Sequence, residues 1–68
     1  MTYTIKCNGL EVKTDRDLIY CVVDAEKLMR LQGVTTALVL DEEGKCRAEI
    51  LVRPNGATSR TVTQKDLF

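Results

Sequence analysis

An Asn8-Gly9 pair stands between two alternating segments, Thr2-Tyr-Thr-Ile-Lys-Cys7 and Leu10-Glu-Val-Lys-Thr14. Both turn residues tolerate the positive φ that a two-residue hairpin demands, so the pair predicts a tight turn between antiparallel strands. A two-residue turn fixes the register, placing Cys7 opposite Leu10, Lys6 opposite Glu11, Ile5 opposite Val12 and Tyr3 opposite Thr14. Apolar then meets apolar and charge meets counter-charge, which is what a sheet with one face toward a core requires.

The next segment predicts a helix over residues 15–32. Thr14 is placed to cap it, acidic Asp15 and Asp17 suit its positive end, and Gly33 supplies the left-handed residue that ends it. Leu18, Cys21, Val22, Ala25, Leu28 and Met29 recur at steps of three and four and form one apolar stripe. A second reading exists, because Leu18-Ile-Tyr-Cys-Val-Val23 is rich in β-branched and aromatic side chains. It makes that run a third strand, pairing Leu10 and Val12 with Cys21 and Ile19, and leaves a short helix from Ala25 to Gln32.

Beyond Gly33, residues 35–41 and 45–53 read as two strands joined by Glu42-Glu43-Gly44, a three-residue turn with glycine at its left-handed position. The expected register sets Leu40 against Cys46, Leu38 against Ala48 and Thr36 against Ile50 on the core face. Asp41 against Lys45, Val39 against Arg47 and Ala37 against Glu49 then fall on the reverse face. Pro54-Asn55-Gly56 presets another turn, after which residues 58–63 return as a last strand of open register. Residues 64–68 are expected to make a helical turn or an apolar clasp over an open end of the core. The expected fold is one α+β domain spanning residues 1–68, an antiparallel sheet with one helix packed on a face, order ββαβββ, with βββαβββ as the alternative.

Several function classes are thinly supported by this composition. There is no histidine among the 68 residues, so no imidazole base or metal ligand is available, and an enzyme is not expected. Cys7, Cys21 and Cys46 are odd in number and widely spaced, which fits neither a disulfide framework nor a zinc cluster. All three are expected to be buried reduced thiols. Asp41, Glu42 and Glu43 lack the alternation of a calcium loop and read as a solvated hairpin tip. No cofactor and no metal are implied. The longest apolar run is six residues, against about 20 for a membrane span, and no secretory leader is recognisable, so a soluble cytoplasmic protein is expected.

Ten Lys+Arg balance ten Asp+Glu, which weakens a nucleic-acid reading. Arg47, Arg53, Arg60 and Lys65 nevertheless carry that alternative, as residues of the last strands able to reach phosphates. The stronger signal is a surplus of apolar side chains. Once the stripe takes the core, Ile19, Tyr20, Val23 and Leu31 remain on the flanks of the helix beside Lys27 and Arg30, and Val39 and Leu51 remain behind the sheet. An aromatic, aliphatics and an arginine together match the make-up of interface hot spots. The expected binding surface is therefore Tyr20, Val23, Lys27, Arg30 and Leu31, the expected partner is a protein, and a homodimer is expected, which would gain the burial that so short a chain lacks. In size and layout the chain resembles phage- or mobile-element-encoded accessory proteins, including inhibitors, that act by occluding or bridging a partner surface. That resemblance covers architecture and carries no residue across.

Overall fold

A computed structural model describes residues 2–62. The expectation for residues 64–68, the position of Lys65 and the last residue of the final strand lie outside the described residues. The chain runs β1 (Tyr3–Cys7), β2 (Leu10–Thr14), α1 (Leu18–Gln32), β3 (Thr36–Leu40), β4 (Cys46–Val52) and β5 (Thr58–Val62). The strands form one antiparallel sheet in the order β2-β1-β3-β4-β5. The order ββαβββ is the one expected, and residues 18–23 belong to the helix rather than to an extra strand.

The first hairpin has the expected register from Tyr3 opposite Thr14 to Cys7 opposite Leu10. Asn8 and Gly9 both hold positive φ, 53° and 84°, the pairing that makes Asn-Gly the favoured two-residue connection. Helix α1 starts later than expected. Thr14 is the last residue of β2, and its Oγ1 accepts the Arg16 amide at 3.2 Å, so the hydroxyl shapes the bend before the helix instead of capping it. Asp17 takes the cap position with extended backbone and no side-chain cap bond; its carbonyl accepts the amides of Tyr20 and Cys21. At the far end Gly33 adopts φ 67°, and its amide and that of Val34 both close on the Met29 carbonyl. Here glycine is favoured because a side chain would strain the left-handed backbone.

The expected register of β3 and β4 is overturned along most of its length. Leu40 does face Cys46, but a bulge follows, and Val39 pairs with Ala48, Ala37 with Ile50 and Thr36 with Leu51. One extra residue in one strand reverses the inward and outward positions of everything beyond it. Ala37 and Val39 are therefore the buried residues of β3, whereas Leu38 and Leu40 are only partly covered and Thr36 is exposed. Val39, expected behind the sheet, lies wholly inside; Cys46, expected inside, is exposed.

Two features account for the bulge. Asp41 is buried at the strand end, where its Oδ1 accepts the amides of Glu43 at 2.8 Å and Lys45 at 2.9 Å, and its Oδ2 lies 3.6 Å from Arg47 Nη1. The acidic cluster is thus split: Asp41 organises the turn from within, while Glu42 and Glu43 stay exposed. Small side chains are also what the helix meets. Tyr3, Ile5, Cys7, Cys21, Val22, Ala25, Met29, Ala37, Val39, Ala48 and Ile50 form one cluster, and its three alanines and two cysteines let α1 approach β1, β3 and β4 closely. Putting Leu38 and Leu40 in those places would overfill the layer.

The donors around Asp41, led by the Lys45 amide and opposed by desolvation, hold its carboxyl below the ordinary carboxylate range. A carboxylate whose folded pKa is depressed stabilises the fold above its unfolded value, about 3.9, and loses that contribution as pH falls through the folded value. Asp41→Asn should accordingly lower the urea midpoint at pH 7. The gap between variant and parent should narrow progressively below about pH 4, as urea titrations at a series of pH values would show.

Candidate functional site

The register of β4 and β5 decides which side chains stand beside the helix. Ala48 faces Val62, Ile50 faces Arg60 and Val52 faces Thr58, so Thr58, Arg60 and Val62 share the face of the sheet that carries α1. Between β5 and the first half of α1 runs a groove of about 510 Å³, lined by Leu18, Ile19, Val22, Val23, Arg60 and Val62. Five of these six are aliphatic. Ile19 is 69% exposed and Val62 46%, so the groove is open among the described residues.

Its far end is closed by an ion pair. Arg60 donates from Nε to Oε2 of Glu26 and from Nη2 to Oε1 at 3.0 Å, joining the edge strand to the middle of α1. The Arg60 hydrogen bond holds the Glu26 carboxyl below its ordinary range, against the desolvation of a side chain only 12% exposed. Past this pair, Arg30, Met29 and Gly33 border a smaller recess with Val34, Val52 and Thr58.

The five residues expected to form the binding surface are all exposed on α1, but they do not converge on one feature. Val23 lines the groove. Tyr20 turns to the opposite flank, where the Arg16 guanidinium stacks 4.9 Å from its ring centroid and Arg16 Nη1 also donates to both Asp24 oxygens, at 3.2 and 3.1 Å. Lys27 borders a shallower depression over β2, with Lys13, Thr14, Asp24 and Leu28. Arg30 stands at the recess beyond Glu26, and Leu31, 82% exposed, lines none of these grooves. At about 1.5 Å per residue Leu31 lies roughly 12 Å along the axis from Val23.

Leu18, Ile19, Val22, Arg60 and Val62 are the groove residues that the expected surface omits. A signal for Val62 was present: Pro54-Asn55-Gly56 repeats the spacing of Glu42-Glu43-Gly44. Both turns close the same way, Asp41 with Lys45 and Gly44, and Arg53 with Ala57 and Gly56, with glycine φ of 82° and 88°. Reading the second turn like the first sets Val52 opposite Thr58 and turns Val62 toward the helix.

The three described basic residues of the nucleic-acid alternative are dispersed. Arg47 is 13% exposed beside Asp41, Arg60 is tied to Glu26, and Arg53 flanks the last turn. Among the described residues no group of three or more His, Cys, Asp or Glu side chains is placed to hold a metal ion, and no helix is long and apolar enough to cross a membrane. No protein family, curated protein or solved structure matches the chain.

The thiols divide by position. Cys7 and Cys21 are buried, and burial, helped by Asp24, pushes the Cys21 thiol up, away from the reactive thiolate. Cys46 is exposed at the bulge, its Sγ donating to the Ala48 carbonyl at 3.4 Å. A chromogenic disulfide reagent should therefore titrate one thiol rapidly in the native protein and the other two only in denaturant. The same count on Cys46→Ser should lose the rapid phase alone.

Proposed function

We propose that this protein is a protein-binding module that occludes or bridges a partner surface through the groove between α1 and β5. The observation that carries the reading is the placement of five aliphatic side chains around an open groove at the margin of an otherwise closed core. Contiguous apolar surface of this kind, bordered by charge, is characteristic of interaction sites, whereas single exposed aliphatics are ordinary. Ile19 and Val23 form the apolar centre. Arg60, with Arg30 beyond it at the neighbouring recess, supplies the charged border, in keeping with the arginine enrichment of interfaces. A second copy of the chain is one partner this surface could serve, and a partner of different sequence is another.

Ile19 and Val23 are exposed, so exchanging either for Asp should leave stability within about 0.5 kcal/mol and the far-UV spectrum unchanged. Ile19→Asp and Val23→Asp should each weaken capture of the partner from a lysate of the producing cells by tenfold or more. Leu31→Asp, outside the groove, should weaken it less than threefold. Capture unaffected by both groove exchanges would refute this site, and light scattering of the same variants would show whether the partner is another copy of the chain.

A further inference from the structure

The width of the sheet against the width of the helix constrains what can enter the groove. Five strands at about 4.8 Å spacing span roughly 19 Å, whereas one helix with its side chains is about 10 Å across. Helix α1 packs on β1, β3 and β4, in the middle of that span. A second helix beside it would have its axis about 10 Å away, or about two strand spacings, which from β3 is the position of β5. The groove lies there.

We infer that the groove receives an amphipathic α-helix of a partner protein, laid beside α1 above β5, with its apolar side chains between Ile19, Val23 and Val62 and an acidic residue toward Arg30 and Arg60. The inference rests on the protein-binding reading and names the partner's chemistry. Two features of the wall favour a helix over an added strand. Leu18 with Val22 and Ile19 with Val23 are rows at a spacing of four residues, the ridges between which a neighbouring helix seats its own side chains. A strand joining the edge of β5 would instead lie about 4.8 Å outside it, engage its backbone, and leave the space above Val62 unfilled.

Charge sets the direction. Along α1 the groove passes from Leu18, Ile19, Val22 and Val23 to Glu26, with Arg60 across from it and Arg30 beyond. Glu26, Arg30 and Arg60 together carry one net positive charge, so a carboxylate on the visiting helix is favoured at this end. The depression on the other side of α1 does not compete, because Lys13, Thr14, Asp24 and Lys27 contribute polar groups to its lining.

The test uses the full chain against two displayed libraries of 14-residue peptides, one patterned with apolar residues at i, i+3, i+4 and i+7, the other strictly alternating. Enriched clones should come at least tenfold more often from the helical pattern and carry Asp or Glu at one end. They should bind Ile19→Asp and Val23→Asp at least tenfold more weakly, and shift the amide resonances of Leu18–Val23 and Arg60–Val62. Winners from the alternating library, no winners from either, or binding indifferent to Ile19→Asp would each overturn the inference. So would a tenfold gain in peptide binding on exchanging Leu67 and Phe68 for Ser, which would assign the groove to the chain's own end. Capture of a partner through Ile19 combined with winners of alternating pattern would keep the protein-binding reading and remove the helix.

Discussion

One helix cannot roof five strands. The described residues hold one helix on a sheet nearly twice its width, and the rest of their arrangement follows from where that helix settles. It settles in the middle, because that is where the small side chains are: Ala37, Ala48 and Cys7 from the sheet meet Ala25 and Cys21 from the helix, and Val39 and Ile50 complete a layer with little exposed surface. Central placement buries the most apolar area per residue in a chain too short to waste any. It also leaves two margins, and the sequence treats them differently. Over β2 the uncovered strip is lined by Lys13, Thr14, Asp24 and Lys27 around Val12 and Leu28, so water is accepted there. Over β5 the strip is aliphatic, with charge confined to Arg60.

The margin over β5 exists in this form because of two successive glycine turns, and the first of them is organised by a buried acid. Asp41 satisfies the amides that the Glu42-Glu43-Gly44 turn would leave unpaired and lies beside Arg47, the residue that the bulge adds to β4. That extra residue places Ala37 and Val39 rather than Leu38 and Leu40 under the helix. The second turn then sets β5 so that Val62 and Arg60 face α1. Turn chemistry at Asp41 is therefore linked to the groove through the register of two strand pairs, although the two sites share no side chain.

How much of this could be read from residues alone depends on how local the cause is. The Asn8-Gly9 hairpin was fully legible, since turn type, register and facing all follow from two residues and an alternation. The apolar stripe of α1 was legible too: Cys21, Val22, Ala25 and Met29 are buried as its spacing required, and the left-handed Gly33 ends it. The bulge at Leu40 was not, because a regular register also sets Leu40 against Cys46 and Leu38 against Ala48, and the shift answers to the turn organised by Asp41 and to side-chain size under the helix, neither of which shows in the alternation. Cys46 went to the wrong face for the same reason. Of the binding surface, the exposure of Tyr20, Val23, Lys27, Arg30 and Leu31 was legible from the stripe they flank, whereas the groove depends on long-range pairing through Val62.

The same geometry limits how the chain could associate with itself. If two copies joined edge to edge through β5, their helix axes, each near β3, would stand about five strand spacings apart, roughly 24 Å, against about 10 Å for packed helices. Such a dimer would extend the sheet and leave a wide apolar trough above the junction, so the surface that calls for cover would remain wet. A pairing centred on Arg60 would also bring like charges opposite each other, although each is engaged by its own Glu26. Burial on that margin is gained only by material laid on the face beside α1, which for a second copy means presenting its own helix. The occupant proposed for the groove is therefore one that lies on the sheet face beside α1 rather than along the edge of β5.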